Sequence, residues 1–168
     1  MDYIFRQATL ADHAAIWEII SQAILRRKAD GSKQWQDGYP NPTVIQSDIT
    51  RGIGYVLVIG EEIVGYTAIL INDEPAYDEL EGTWLTTGDF VVFHRVAIAE
   101  QQLGKGLAKL LLHHIEEFAL QQGIYSVKAD TNFDNPGMLK TFEKQGYVYC
   151  GEVTFRGAKR KAYEKVLR

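Results

Sequence analysis

The chain has 168 residues, of which 46% are hydrophobic and 24% are charged, and its formal net charge is −4. This length suits one domain, residues 1–168, with a hydrophobic core of its own, and the composition is ordinary for a globular protein. The acidic balance and the lack of a long basic run argue against nucleic acid as a main partner. Cys150 is the only cysteine, which excludes an internal disulfide and a cysteine-based zinc site, and we predict no metal site.

The N-terminal residues Met1–Arg6 lack the features of a secretory signal peptide. No apolar run approaches the roughly 18 residues that a membrane-spanning helix needs. We therefore expect a cytoplasmic protein without a membrane partner.

Hydrophobic periodicity predicts strands and helices along the whole chain. In the first half it predicts a strand over 3–8, a helix capped by Thr9 that ends near 28, a helix over 42–52, and paired strands over 55–59 and 63–71. After a polar insertion over 72–88, it predicts a strand over 90–98, a helix that ends near 123, a strand over 124–130, a helix over 136–145, and strands over 147–155 and 161–167. The order β-α-α-β-β-β-α-β-α-β-β indicates an α/β fold (α+β, mixed sheet). The strands joined by the helical crossover should be parallel.

A glycine-rich turn separates the strand over 90–98 from the helix that follows it. The turn reads Ala99-Glu-Gln-Gln-Leu-Gly104-Lys-Gly106. Backbone N–H groups at the start of a helix lack intrahelical partners, and the helix dipole places roughly half a positive charge there. Gly104 and Gly106 carry no Cβ, so a phosphate group could approach the backbone closely. The turn therefore predicts an anion site.

Three kinds of phosphate-binding motif place glycines in such a turn. A P-loop has four residues between its glycines and continues Gly-Lys-Ser/Thr, whereas this turn has one residue between them and continues Gly106-Leu107-Ala108. A dinucleotide fingerprint, G-x-G-x-x-G, needs glycine where Lys109 stands. The third pattern, Gln/Arg-x-x-Gly-x-Gly/Ala, fits Gln101–Gly106. The alternative to all three is an ordinary strand-to-helix turn that binds nothing.

The hexapeptide Gln101–Gly106 resembles the coenzyme A pyrophosphate loop of the GNAT-type N-acetyltransferases. The predicted element order is that of a GNAT domain, and Asn135–Tyr147, an Asn-led helix closed by glycine and an aromatic residue, looks like the family's second motif. Trp35–Pro40 and His94–Ala97 further resemble a group of small bacterial members. The resemblance covers essentially the whole chain, and it implies a single GNAT-like domain with a splayed central sheet.

The resemblance implies transfer of an acetyl group from acetyl-CoA to a primary amine of a small molecule or peptide. The turn's N–H groups would hold the pyrophosphate, the strand end would pair with the pantetheine arm, and an N–H of Ala97 or Ile98 would polarise the thioester carbonyl. For Asn135 the alternative is a helix cap, and for Met138 and Phe142 it is core packing. The predicted cofactor-binding residues are Val96, Ala97, Ile98, Leu103, Gly104, Lys105, Gly106, Leu107, Ala108, Asn132, Asn135, Met138 and Phe142.

His94 is the candidate general base, because a histidine titrates near neutral pH and the amine must lose a proton before it attacks. Strand alternation places His94 with Val92 and Val96, and a purely structural histidine is the alternative. Glu18, Asp89 or a chain of water molecules could serve instead.

Trp35 and Tyr39 are the candidate substrate-binding residues, since both lie in a loop rich in turn-forming residues. They could wall an amine pocket with a cation–π contribution of about 0.5–2 kcal/mol, or they could simply fix the loop. The acidic insertion Asp73–Glu81 could attract a cationic substrate. Many family members carry a tyrosine four residues before the closing glycine as general acid, whereas this chain has Phe142, which has no proton to give.

Two other functions stay open at this point. Without a clear base and acid, the fold could serve as a catalytically weak acyl-CoA-binding or sensor module. A Rossmann-like oxidoreductase is opposed by the element order and by Lys109. The acceptor amine and the oligomeric state are also open, with a homodimer as one option.

Overall fold

The computed structural model describes residues 2–168. Their contacts group into two compact units, one formed by the residues up to Ile69 with Arg95–His114, and one formed by Leu70–His94 with Ile115–Arg168. The helices are α1 (His13–Ala29), α2 (Pro42–Thr50), α3 (Leu107–Gln121) and α4 (Pro136–Lys144). The strands are β1 (Tyr3–Gln7), β2 (Gly54–Ile59), β3 (Glu62–Ile71), β4 (Glu81–Gly82), β5 (Val91–Ile98), β6 (Ser126–Thr131), β7 (Val148–Phe155) and β8 (Ala158–Val166). Short 3-10 helices cover Leu10–Asp12, Pro75–Glu79 and Glu100–Gln102.

The strands hydrogen-bond in the order β1-β2-β3-β5-β6-β8-β7-β4, as one mixed sheet. Strands β1, β2 and β3 pair antiparallel, and so do β6 with β8, β8 with β7, and β7 with β4. Strands β5 and β6 are parallel, as the helical crossover between them predicts. The predicted fold class and element order are confirmed. The short strand β4 was missed, because two exposed residues inside a polar insertion carry no hydrophobic alternation.

The parallel pairing of β5 with β6 is short. Within residues 2–168 it joins only Val91 to Val127 and Val92 to Lys128, although β5 continues to Ile98. The pairing recorded between these strands thus lies at the beginning of β5.

The core of the first unit lies under α1 and α2. Helix α1 buries Ile16, Ile19, Ile20 and Ala23, which recur at helical spacing as predicted. Each large aliphatic side chain buried in this way contributes about 1.5–3 kcal/mol to stability. Ile24 packs against this cluster and is only partly buried.

Strand β5 contains one irregular residue. Arg95 has a φ angle of 58°, in the left-handed region that non-glycine residues rarely adopt. Its Nε and Nη2 atoms donate to the two carboxylate oxygens of the buried Asp48 at 2.8 and 2.7 Å. Burial raises the pKa of Tyr66, so its hydroxyl stays protonated and donates to the same carboxylate at 2.6 Å. These charge-assisted bonds hold a backbone conformation that costs roughly 1–3 kcal/mol.

The left-handed residue interrupts the period of two along β5. The expectation that His94 shares a face with Val96 assumed uninterrupted alternation, which Arg95 breaks. His94, Arg95 and Val96 are all partly exposed, whereas Val91–Phe93 before them and Ala97 and Ile98 after them are buried.

The second unit packs aromatic side chains between α4 and its strands. Phe142 of α4 is fully buried, and its ring centroid lies 4.9 Å from that of Tyr163 and 5.4 Å from that of Tyr147. Phe93 of β5 completes the cluster, at 6.2 Å from Phe142. This settles the orientation of α4 on the strands of its own unit.

Candidate active site

The glycine-rich turn leads from β5 into α3 through a 3-10 helix over Glu100–Gln102. Gly104 and Gly106 have φ angles of 80° and 77°, which a residue with a Cβ adopts only with strain. A Cβ built on either glycine would meet no atom within 4 Å, so the space beside the backbone is open. Helix α3 begins at Leu107, directly after the turn. The turn therefore combines exposed backbone with the positive end of a helix dipole, the arrangement that binds phosphate groups.

The side chains of this turn divide between solvent and core. Leu103 is 45% exposed, and the exposed Lys105 donates from Nζ to Gln102 Oε1 at 3.2 Å. Leu107 is 3% exposed and anchors the first turn of α3 in the core. The anchor fixes the helix start, while the residues before it present their backbone to solvent.

At the end of β5, one edge of the strand is hydrogen-bonded to β3. The N–H of Ala99 donates to the carbonyl of Val64 at 2.9 Å. Since successive residues of an extended strand direct their backbone groups to opposite edges, the N–H and C=O of Ile98 point away from β3. Of the two N–H groups predicted as carbonyl donors, that of Ile98 is therefore the better placed, and that of Ala97 points towards β3.

The predicted residues of the second motif have mainly structural contacts. The side-chain oxygen of Asn135 accepts from the N–H of Met138 at 3.2 Å, which is a helix cap. Asn132 donates from Nδ2 to Asp134 Oδ1 at 3.2 Å. Met138 is partly buried, and Phe142 lies in the aromatic core described above. Asn132 also lines a surface cavity of about 270 Å³.

His94 lies in a cluster of charged side chains within the second unit. Its Nε2 is 2.7 Å from Glu74 Oε2, and its Nδ1 is 4.0 Å from Asp130 Oδ2. The side chains of His94 and Glu74 are 18% and 14% exposed, and that of Asp130 is 2% exposed. The carboxylates of Glu74 and Asp130 thus flank the imidazole ring, one near each ring nitrogen.

Two further groups hold Asp130 in place. Burial raises the pKa of Tyr77 well above its usual value, so its hydroxyl stays protonated and donates to Asp130 Oδ2 at 2.6 Å. Arg160 Nε forms an ion pair with Asp130 Oδ1 at 2.6 Å. Sequence reasoning missed Tyr77, Asp130 and Arg160 as neighbours of His94. The sequence indicated Glu74 only as one residue of the acidic insertion. No motif relates it to His94, which lies 20 residues later in a strand.

Trp35 and Tyr39 occupy different environments in the first unit. Trp35 is 6% exposed and packs in the core, with the guanidinium of Arg27 stacked 3.9 Å from its ring centroid. Tyr39 is partly exposed, and its hydroxyl accepts a hydrogen bond from Arg95 Nη1. Tyr39 is thus attached to the network that holds the irregular residue of β5, whereas Trp35 fixes the loop to α1.

Two other properties of residues 2–168 concern metals and membranes. These residues contain no group of three or more histidine, cysteine, aspartate or glutamate side chains that could hold a metal ion. None of the helices that they form has both the length and the apolar character needed to cross a membrane.

Comparisons with known proteins agree on one family. The family model described as Acetyltransferase (GNAT) family matches residues 16–147. A GNAT acetyltransferase from Streptococcus agalactiae 2603 is 34% identical, with a TM-score of 0.90 over 99% of this chain and 96% of that one. An acetyltransferase of the same family from Listeria monocytogenes is 19% identical, with a TM-score of 0.78 over 98% and 95%.

The same fold occurs with its coenzyme bound. The Salmonella typhimurium protein yncA, solved with its cofactor acetyl-CoA, is 18% identical to this chain, with a TM-score of 0.69 over 100% of this chain and 95% of that one. Among curated protein sequences, none matches this chain.

Proposed function

Because the chain belongs to the GNAT family of acetyltransferases, whose members use acetyl-CoA, we propose that it acetylates a primary amine of a small molecule or peptide. The observation that carries this proposal is the turn before α3. Its two left-handed glycines leave open space beside the backbone at a helix N-terminus, where a pyrophosphate would be bound.

The pyrophosphate would accept hydrogen bonds from N–H groups of Gly104 to Ala108, since the N–H of Leu103 donates to the carbonyl of Glu100 at 3.3 Å. The first N–H groups of α3 have no intrahelical acceptor, which makes them available for the phosphate oxygens. Lys105 would add a positive charge, because it lies between the two glycines and is exposed. The pantetheine arm would run along the end of β5, Val96 to Ile98, as an added strand. The N–H of Ile98 would then donate to the thioester carbonyl as negative charge develops on it.

We propose His94 as the general base and Glu74 as the residue that positions it. The 2.7 Å contact between His94 Nε2 and Glu74 Oε2 supports this assignment. It fixes the orientation of the imidazole ring and also which ring nitrogen carries the hydrogen. The acceptor amine would lose its proton to His94 and attack the thioester carbon. The carbon–sulfur bond would break as the carbon–nitrogen bond forms, and coenzyme A would leave as its thiolate.

The thiolate of coenzyme A can leave without a general acid from α4. A thiol has a pKa of roughly 8.5, far below that of an amine leaving group, so the thiolate leaves without protonation. The buried Phe142, which stands where many members have tyrosine, is consistent with direct transfer. Trp35 and Tyr39 remain proposed substrate-binding residues, and a cytoplasmic location and a homodimer remain predictions.

The alternative, a sensor module that binds acyl-CoA without useful turnover, predicts a different outcome in one assay. The protein is incubated with acetyl-CoA and a panel of small-molecule and peptide amines, and free thiol is measured as it forms. Thiol release that depends on one class of amine, with an equal amount of acetylated amine by mass spectrometry, supports the enzyme. Tight acetyl-CoA binding without amine-dependent thiol release supports the sensor.

A further inference from the structure

Two polar side chains of α1 contact the end of β5 and the 3-10 helix that follows it. Gln22 Oε1 accepts from the N–H of Glu100 at 3.2 Å, and Arg26 Nη2 donates to the carbonyl of Ile98 at 3.4 Å. Gln22 and Arg26 are one helical turn apart, so they form a short polar row on the same face of the helix. The guanidinium of Arg26 therefore lies at the edge of β5 that points away from β3, because the carbonyl of Ile98 does.

The second terminal nitrogen of Arg26 has no acceptor. Its Nη1 atom is buried and makes no hydrogen bond among the described residues. A guanidinium is always charged and can only donate, so a buried N–H group on it is costly to leave unpaired. Such a group at the edge of a strand marks a position where an acceptor oxygen would be bound.

We propose that Arg26 binds an amide carbonyl oxygen of the pantetheine arm of acetyl-CoA. This rests on the proposed function, in which the turn at Gly104 and Gly106 holds the pyrophosphate and the arm follows β5. Ile98 precedes that turn along the strand, so its carbonyl lies beside the arm and not beside the phosphates. The arm carries two amide carbonyls, which are neutral acceptors of the kind that a guanidinium N–H pairs with. Arg26 would thus contribute to binding of the pantetheine arm and not to binding of the nucleotide.

Calorimetry with two ligands tests this assignment. Acetyl-CoA carries the arm, whereas adenosine 3′-phosphate 5′-diphosphate carries the same phosphates without it. We expect Arg26→Gln to weaken acetyl-CoA binding about tenfold or more, because a buried charge-assisted hydrogen bond is lost, and to leave binding of the nucleotide within about twofold. The control is Lys28→Gln, which removes the same charge from an exposed position two residues along the helix and should alter neither affinity.

Different calorimetric results would contradict the role of Arg26 and the proposed function. An equal loss for both ligands would place Arg26 on the phosphates and overturn the inference, as would unchanged acetyl-CoA affinity. Failure of the unsubstituted protein to bind acetyl-CoA would overturn the proposed function itself. If Arg26→Gln does not fold, Arg26→Lys, which keeps the charge but loses the second terminal nitrogen, takes its place. It should weaken acetyl-CoA binding about threefold to tenfold, again without effect on the nucleotide.

Discussion

At the residue scale, the contact between His94 and Glu74 decides which ring nitrogen can accept a proton. In the neutral imidazole one nitrogen donates and the other accepts, and a carboxylate 2.7 Å from Nε2 selects the tautomer with hydrogen there. Nδ1 then carries the lone pair, on the side of the ring nearer to Asp130, whose Oδ2 is 4.0 Å away. Under the proposed mechanism, Nδ1 is the atom that takes the proton.

Substitution of either residue should lower turnover more than coenzyme affinity. We expect His94→Gln to reduce kcat by about 100-fold or more, the usual contribution of a general base, and Glu74→Gln to reduce it about tenfold. The KM for acetyl-CoA should change little in both variants. Glu79→Gln is the control, because Glu79 is exposed in the same segment and should behave as the unsubstituted protein. Normal kcat in His94→Gln would exclude His94 as the base.

The pair Arg6 and Asp12 gives a residue-scale prediction about stability and pH. Hydrogen bonds from Arg6 hold the pKa of Asp12 at about 2, below its ordinary value of 3.8. The carboxylate therefore stabilises the folded state above about pH 4, and this contribution is lost as the pH falls through about 2. Arg6 is 41% exposed, so solvent screening limits the effect to about 1 kcal/mol.

The variant Arg6→Gln should lower the free energy of unfolding by about 1 kcal/mol at pH 7. Urea titrations between pH 7 and pH 2 should show the two proteins converging as Asp12 protonates. A difference that stays constant down to pH 2 would mean that Arg6 acts through packing and not through the charge of Asp12.

At the element scale, one buried carboxylate attaches the insertion between β3 and β5 to the sheet of the second unit. Glu164 of β8 is fully buried and accepts from the N–H of Leu85 at 2.7 Å, the hydroxyl of Thr86 at 2.5 Å and the hydroxyl of Ser126 at 2.7 Å. A buried carboxylate with this many donors is satisfied. The same insertion carries Glu74, so its attachment bears on the position of the proposed base.

Glu164→Ala should destabilise the protein by about 3 kcal/mol, because it leaves buried donors unpaired in the insertion and in β6. Hydrogen exchange of residues 83–88 should accelerate more than exchange in β1–β3. Glu143→Ala, an exposed position on α4, is the control and should change stability by less than about 0.5 kcal/mol. Uniform acceleration across the chain would contradict a local role for Glu164.

Helices and long strands were predictable because their hydrophobic periods are strong. The apolar spacing along α1 matches the helix that the sequence predicts there. The insertion was less predictable, because contacts distant in sequence hold it. Its 3-10 helix is held by the bond from Tyr77 to Asp130, β4 by pairing with β7, and Leu85 and Thr86 by Glu164. The irregular residue Arg95 was not predictable either, because its conformation depends on the buried Asp48.

At the scale of the whole molecule, the element order and the glycine turn together identified the family from sequence. Neither alone was sufficient, because a two-glycine turn is common and mixed sheets occur in many families. The cluster around His94 was beyond sequence reasoning, since Glu74, Asp130 and Arg160 come from three separate elements. The proposed function depends on binding of the coenzyme by the turn before α3.

Calorimetric titration of acetyl-CoA into the Gly106→Glu variant measures whether this turn binds the coenzyme. The substituted side chain would enter the open space beside the backbone, and its charge would repel the pyrophosphate. Gly123→Glu is the matched control, because Gly123 lies just past the other end of α3, has a φ angle of 71° and also has nothing within 4 Å of a built Cβ. We expect Gly106→Glu to bind acetyl-CoA at least about 100-fold more weakly than Gly123→Glu, with both variants folded. Equal affinity of the two variants would contradict it.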